Sequence, residues 1–344
     1  MARYDLTRSD VAVLLGSEPA YRARQVWDGL YRHGTGPEQL TALPRSLRDR
    51  LASEPALAPA LALDAEVAAD GGDTVKWRWA LHDGRMIETV LMHYPGRTTV
   101  CVSSQAGCAM ACGFCATGQA GFQRNLTTGE IVEQVARAGA EARRRDRRLS
   151  NVVFMGMGEP LANYDRVWSA VERLHADVGL SARHLTISTI GMVPGIRRLA
   201  DAPLPVNLAV SLHAADDVLR DELVPVNRRY PLAALMEACR MWVEAKGRRL
   251  SFEWALIAGV NDRPADAARL ATLARDVRAH VNLIPLNPTP GFLTRGTSPA
   301  GVRAFADLLT SLGVNATVRR NRGTGIDAAC GQLAAAAVRP DRTD

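Results

Sequence analysis

Six short runs rich in β-branched and aliphatic residues recur along the chain, at 98–103, 151–155, 184–190, 206–212, 250–257 and 281–285. A polar loop and then a stretch with apolar residues at helical spacing follow each run. Strands separated by helices pair in parallel through crossovers, which predicts an α/β fold built as an open or closed βα barrel. Six units are too few to close an eight-stranded ring, so the expectation is a partial (βα)6 barrel. Such a barrel gathers its working residues at the C-terminal ends of its strands. Polar residues stand there repeatedly: Cys108, Cys112 and Cys115 after the first run, Gly156, Gly158 and Glu159 after the second, Ser188 and Thr189 in the third, Ser211 and His213 closing the fourth, and Asn287 after the sixth.

The rest of the chain reads differently. Residues 1–60 have the pattern of short helices, with Tyr21, Val26, Trp27, Leu30 and Tyr31 on one face, and form a small N-terminal helical accessory domain. Residues 61–96 read as a linker region with a β-hairpin, its strands at 76–80 and 86–92 joined by the turn around Asp83 and Gly84. The barrel then spans 97–335, and 336–344 is a tail. Thr127 and Glu130 are spaced as a capping box at the start of the first barrel helix.

No run of 18 apolar residues is present, so no membrane span is expected, and the N-terminus lacks the basic start and apolar stretch of a secretory signal. A cytoplasmic location follows as an expectation, and there cysteines bind metal or react more often than they pair. The formal charge of +6 favours a polyanionic partner, RNA or DNA. Candidate phosphate contacts are Arg22, Arg24, Arg45, Arg48 and Arg50, the basic run 143–148, and Arg319, Arg320 and Arg322. The run 143–148 equally suits a solvated helix end that complements the helix dipole.

Six cysteines are present, and Cys108, Cys112 and Cys115 form a CxxxCxxC loop within GCAMACGFC at 107–115. Soft thiolates at this spacing wrap one face of an iron–sulfur cube. Three thiolates leave one iron open, and an open position is what a catalytic metal requires. S-adenosylmethionine (SAM) fills such a position through its amino and carboxylate groups. The alternative is a structural zinc site with Cys101 as fourth ligand, although no second CxxC hook accompanies it.

The chain resembles the RlmN/Cfr family of radical SAM RNA adenine methyltransferases, and the RlmN branch in particular. The resemblance runs through YRARQ at 21–25, ETV at 88–90, CVSSQAGC at 101–108, the cluster loop, MGMGEPL at 155–161, LSARHLTIST at 180–189, SLHA at 211–214, LNP at 286–288 and DAACGQL at 327–333. It covers nearly the whole chain. It implies a 4Fe–4S cluster on Cys108, Cys112 and Cys115, and SAM contacts from Gly158, Glu159, Ser188, Ser211, Leu212, His213 and Asn287. By the same resemblance Cys330 takes a methyl group from one SAM, and a second SAM yields the radical that removes hydrogen from that S-methyl group. The carbon radical then adds to an adenine carbon that is no nucleophile, which explains why a thiol must carry the one-carbon unit. Glu88 matches the proton acceptor, and Cys101 matches the resolving thiol that displaces Cys330 in a transient disulfide.

The implied substrates are 23S rRNA and tRNA, methylated at carbon 2 of an adenosine in the peptidyl-transferase region and of the adenosine 3′ of the anticodon. The alternative is the Cfr reaction at carbon 8 of the rRNA adenosine, which confers antibiotic resistance. A reducing electron donor such as flavodoxin and a monomeric state are further expectations. Cys239 matches no motif and reads as core packing. The segment from Arg322 to Asp327 lacks the two acidic residues that the family often carries after the glycine, and Ile190 stands where Ser is frequent.

Overall fold

The computed structural model describes residues 2–289, 291–319 and 322–333; Arg320 and the tail 336–344 lie outside the described residues. Among the described residues twelve strands are formed: β1 (Leu61–Ala69), β2 (Thr74–Leu81), β3 (Met86–Tyr94), β4 (Arg97–Cys101), β5 (Gln105–Gly107), β6 (Phe122–Asn125), β7 (Leu149–Phe154), β8 (Leu185–Thr189), β9 (Asn207–Ser211), β10 (Ser251–Leu256), β11 (His280–Pro285) and β12 (Ala316–Val318). Ten of them make one sheet in the order β1-β2-β3-β4-β7-β8-β9-β10-β11-β12, and β5 pairs with β6 beside it.

From β4 to β12 every neighbouring pair is parallel. The six predicted runs are β4, β7, β8, β9, β10 and β11, and a helix follows each: Thr128–Arg144, Tyr164–Ala176, Val193–Asp201, Leu232–Lys246, Pro264–Asp276 and Pro299–Ser311. Beyond the sixth unit the short β12 adds a seventh parallel strand. The first helix starts at the expected capping box, where the Thr127 hydroxyl accepts from the Glu130 N–H and the Glu130 carboxylate accepts from the Thr127 N–H.

Alternation along each strand sorts side chains between helices and lumen. On β7, Val152 and Phe154 are fully buried in the core, whereas Asn151 and Val153 line the inner face. On β8, Leu185 and Ile187 go to the core and Thr186 and Ser188 face inward. Each fully buried Leu or Ile contributes about 1.5–3 kcal/mol, so the outer set holds the helices down and leaves the inner set free for function.

The hairpin of β2 and β3 matches its expected position, yet it is no isolated linker. β1 to β4 are antiparallel and continue the barrel sheet, with Val90 of β3 registered against Cys101 of β4. The N-terminal helices Arg8–Leu15, Tyr21–Asp28 and Arg45–Ala52 share one hydrophobic core with the barrel. Trp27 stacks on Tyr31 with ring centroids 4.4 Å apart, and its indole N–H donates to Asp177 at 2.8 Å.

Candidate active site

At the C-terminal ends of the parallel strands lies a cavity of about 170 Å³, and Cys108, Cys112 and Cys115 form part of its wall. Burial pushes the Cys108 thiol up to about 12 and the Cys112 thiol up as well. Three thiols close in sequence on one cavity wall have the chemistry of a soft-metal site, and a bound cation would ionise them against that burial. Among the described residues no three His, Cys, Asp or Glu side chains converge on the position of one ion. Three thiols spread along one wall fit a cluster that offers each of them its own iron. Cys101 lies off that wall, beside a smaller cavity that contains none of the three loop cysteines.

Gly158, Glu159, Ser188, Ser211, His213 and Asn287 line the same cavity. The loop after β7 carries Gly156 and Gly158 into close contact with the backbone. A Cβ on Gly158 would stand 2.5 Å from Gln105 Cβ, and its φ of +102° is one that L-residues rarely adopt. Glu159 is buried, and its carboxylate accepts from the N–H groups of Leu161 at 3.0 Å and Ile190 at 2.8 Å. Burial lifts its carboxyl to about 7 against those hydrogen bonds. His213 Nδ1 accepts from the Ala255 N–H at 3.0 Å, which leaves the proton of a neutral ring on Nε2. Burial, with Arg220 nearby, lowers its pKa to about 3.

Two expected SAM contacts need separate description. The Leu212 side chain is fully buried and off the cavity wall. The motif it belongs to ends a strand whose alternation turns Ser211 inward and Leu212 into the core. The Asn287 amide donates to the Cys330 carbonyl at 3.1 Å, so this residue holds the cysteine loop as well as facing the cavity.

Cys330 is exposed and lines the main cavity; it also lines a second, smaller one of about 50 Å³ that contains Cys101. The two thiols, 229 positions apart by subtraction of their numbers, thus border one space. Burial, then the neighbouring Cys330, pushes the Cys101 thiol up to about 12. Arg319 lines both cavities and pairs with Glu253 at 3.3 Å. Cys330 first and Glu253 next hold the Arg319 guanidinium charged.

The loop carrying Cys330 is tied down at both sides. Gly331 accepts from the Ala116 N–H at 2.8 Å, next to Cys115. On the other side the Gly323 N–H donates to Asp70 at 3.2 Å, and the Lys76 ammonium donates to the Asp327 carbonyl at 3.2 Å. Lys76 also pairs with Glu88 at 3.1 Å. Glu88 is buried on β3 and lines neither cavity; it is not a surface strand residue.

Sequence reasoning missed the residues that hold the strand tips. Arg220 is fully buried and donates to the carbonyls of Leu212 at 3.1 Å and Ile190 at 2.6 Å and to Asn227 Oδ1 at 2.7 Å. Asn261 donates to the carbonyls of His213 and Ala255 at 2.8 and 2.7 Å and accepts from the Ile257 N–H. Apart from the Asn227 side chain their partners are main-chain groups, which leave no mark in a motif. Cys239 is buried in the core, as its lack of a motif suggested.

Several candidate RNA arginines serve structure. Arg22 donates to the Ala42 carbonyl at 2.8 Å and Arg50 to the Leu14 carbonyl at 3.0 Å. Within the basic run, Arg143 donates to the His33 carbonyl, Arg145 to Glu141 and the Gly72 carbonyl, and Arg147 pairs with Asp73.

The Radical SAM superfamily profile matches residues 102–271. A probable dual-specificity RNA methyltransferase RlmN of Frankia casuarinae is 54% identical, over 99% of this chain and 84% of that one. The protein of the same name from Salinispora tropica is 53% identical, over 98% of this chain and 93% of its own length. The crystal structure of a radical SAM methyltransferase from Sphaerobacter thermophilus superposes with a TM-score of 0.93 at 49% identity, covering 98% of this chain and all of that one.

Proposed function

The chain belongs to the radical SAM superfamily and, within it, to the RlmN RNA methyltransferases, and from that premise we propose that it methylates carbon 2 of adenosine in 23S rRNA and in tRNA. It is a SAM-dependent RNA methyltransferase with a 4Fe–4S cluster and SAM as cofactors. Cys108, Cys112 and Cys115 would hold the cluster, which with SAM supplies the electron, the methyl group and the radical chemistry.

One observation carries the reading: Cys330 borders both the cavity of the three cysteines and the small space that contains Cys101. A thiol in that position can accept a one-carbon unit on one side and meet a second thiol on the other. Cys330 Sγ carries the carbon to the adenine. Glu88, kept near the cysteine loop by Lys76, takes the proton from the substrate carbon. After the adduct has also given up one electron to an acceptor, Cys101 Sγ loses its proton and bonds to Cys330 Sγ as the Cys330 carbon–sulfur bond breaks. The carbon keeps that bond's electron pair, takes a proton and leaves as the methyl group of the base, and a two-electron reductant opens the disulfide. Gly158, Glu159, Ser188, Ser211 and His213 surround SAM, and Asn287 sets the height of the Cys330 backbone. A one-electron donor of the flavodoxin type and action as a monomer complete the proposal.

Nucleoside mass spectrometry on ribosomal and transfer RNA, digested separately from cells lacking the activity with and without this protein, tests it. The expected result is 2-methyladenosine in both RNAs. Appearance of 8-methyladenosine in rRNA alone would move the chain to the Cfr reaction, and absence of both would remove the RNA substrate.

A further inference from the structure

A third cavity, of about 600 Å³, occupies the lumen below the thiols, towards the N-terminal ends of the parallel strands. Its wall includes Asn151, Thr186, Ser251 and Asn282 from four different strands. A closed βα barrel fills this region with branched apolar side chains. Here it is open, polar, and within the roughly 300–1,000 Å³ that ligand sites occupy.

The chamber is continuous with the thiols. It shares Met155 and Arg319 with the small cavity of Cys101 and Cys330. Asn282 donates to Glu253 at 2.8 Å, and Glu253 pairs with Arg319 at 3.3 Å, so a polar chain runs up the wall to Arg319, which borders the cavity of the two thiols. The chamber also shares Tyr94 and Arg97 with a surface groove of about 700 Å³, and Tyr94 lines the small cavity as well. Arg97, Arg147 and Arg148 border that groove against one carboxylate, Asp73. Asp73 is already engaged by Arg147 at 3.3 Å and Arg322 at 3.9 Å. Among the described residues Arg97 and Arg148 have no carboxylate partner, and Arg97 lies over the Tyr94 ring at 4.6 Å from its centroid.

We infer that RNA reaches Cys330 from below: its backbone lies on the groove of Arg97, Arg147 and Arg148, and an unstacked adenosine rises through the polar chamber to the thiols. RNA and SAM then approach Cys330 from opposite ends of the barrel, and neither blocks the other. The groove supplies cations for phosphate and an aromatic ring at the mouth, and amide and hydroxyl side chains inside can meet the edge of an extruded base. The inference rests on the proposed RNA methylation and adds to it the path and the residues that line it.

Two variants of the cluster-loaded enzyme test the path, with methyl incorporation into RNA and methylation of Cys330 without RNA measured side by side. The double variant R97A/R148A changes only exposed side chains and is expected to raise the KM for RNA at least tenfold. Its log–log salt slope for RNA binding should flatten by about 1.4 to 1.8, the loss of two phosphate contacts. Thr186→Phe narrows the chamber and is expected to lower RNA methylation at least tenfold. In both, Cys330 methylation should stay at the wild-type level. Wild-type RNA kinetics in R97A/R148A would overturn the path, whatever Thr186→Phe does to folding. If the unaltered enzyme methylates Cys330 but no RNA, the proposed function fails instead.

Discussion

Replacing Arg220 with leucine removes the donors to two strand-tip carbonyls, those of Ile190 and Leu212, and to the side-chain oxygen of Asn227. Hydrogen bonds to a charged group are each worth about 1.5–3 kcal/mol, so Arg220→Leu should cost at least that much in a denaturant titration. A loss below 0.5 kcal/mol on the order of a surface substitution would show that water replaces the guanidinium there. His213 gives a second outcome. Its folded pKa of about 3 lies below the unfolded value near 6.5, so the unfolded chain binds the extra proton between them. Stability is therefore full above about 6.5 and falls as pH drops towards 3, and His213→Gln should flatten that acid limb in pH-dependent melting. An unchanged limb would mean that other groups set it. Ser188, Ser211, His213 and Glu159 were legible as candidates because polar residues recur at successive strand ends on one end of the barrel, where any one alone would more often be a satisfied strand-end group. Arg220 was not, because an arginine in a short helix reads as solvated until the carbonyls around it are seen.

The loop after β7 depends on one backbone conformation. Gly158→Ala asks a Cβ to sit at φ +102° and 2.5 Å from Gln105, a strain of about 1–3 kcal/mol before any neighbour moves. SAM affinity by calorimetry should fall by roughly 5- to 150-fold, the same energy expressed in binding; an unchanged Kd would mean that the loop takes no part in SAM binding. Lys76→Met removes the donor to Asp327 and a cation beside Glu88. The Cys330 loop should loosen, and alkylation of Cys330 by iodoacetamide, followed by mass spectrometry, should speed up while Cys239 stays protected. Equal rates would place the anchoring elsewhere. The parallel strands were legible because short runs of aliphatic and β-branched residues recur between helix-patterned stretches. β1 was not: its LALDAEVAA sequence is largely alanine with exposed acids, and only pairing with β2 makes it a strand. β12, three residues long, is too short for any periodicity to register.

At the scale of the whole molecule, the helical N-terminus and the barrel are energetically one body. Arg173 donates to the Leu6 carbonyl at 3.0 Å and the Tyr31 hydroxyl at 2.9 Å, and Tyr4, Leu6, Trp27 and Tyr31 are buried in the common core. Deleting residues 1–52 should therefore yield aggregated protein, or one melting at least 10 °C lower on the order expected for several lost buried side chains; a soluble fragment with unchanged Tm would show an independent barrel. The sequence announced two regions because its periodicity changes at the boundary, but periodicity carries no information about which faces meet. The ten-stranded sheet also leaves β1 and β12 as two rims that never pair. A closed ring would offer only its mouths, and a nucleotide at mid-depth would have to bring its flanking backbone back through the same hole. A sheet that stays unclosed relaxes that demand, because a segment in the middle of a long folded polymer does not have to be threaded through a ring to be seated and released.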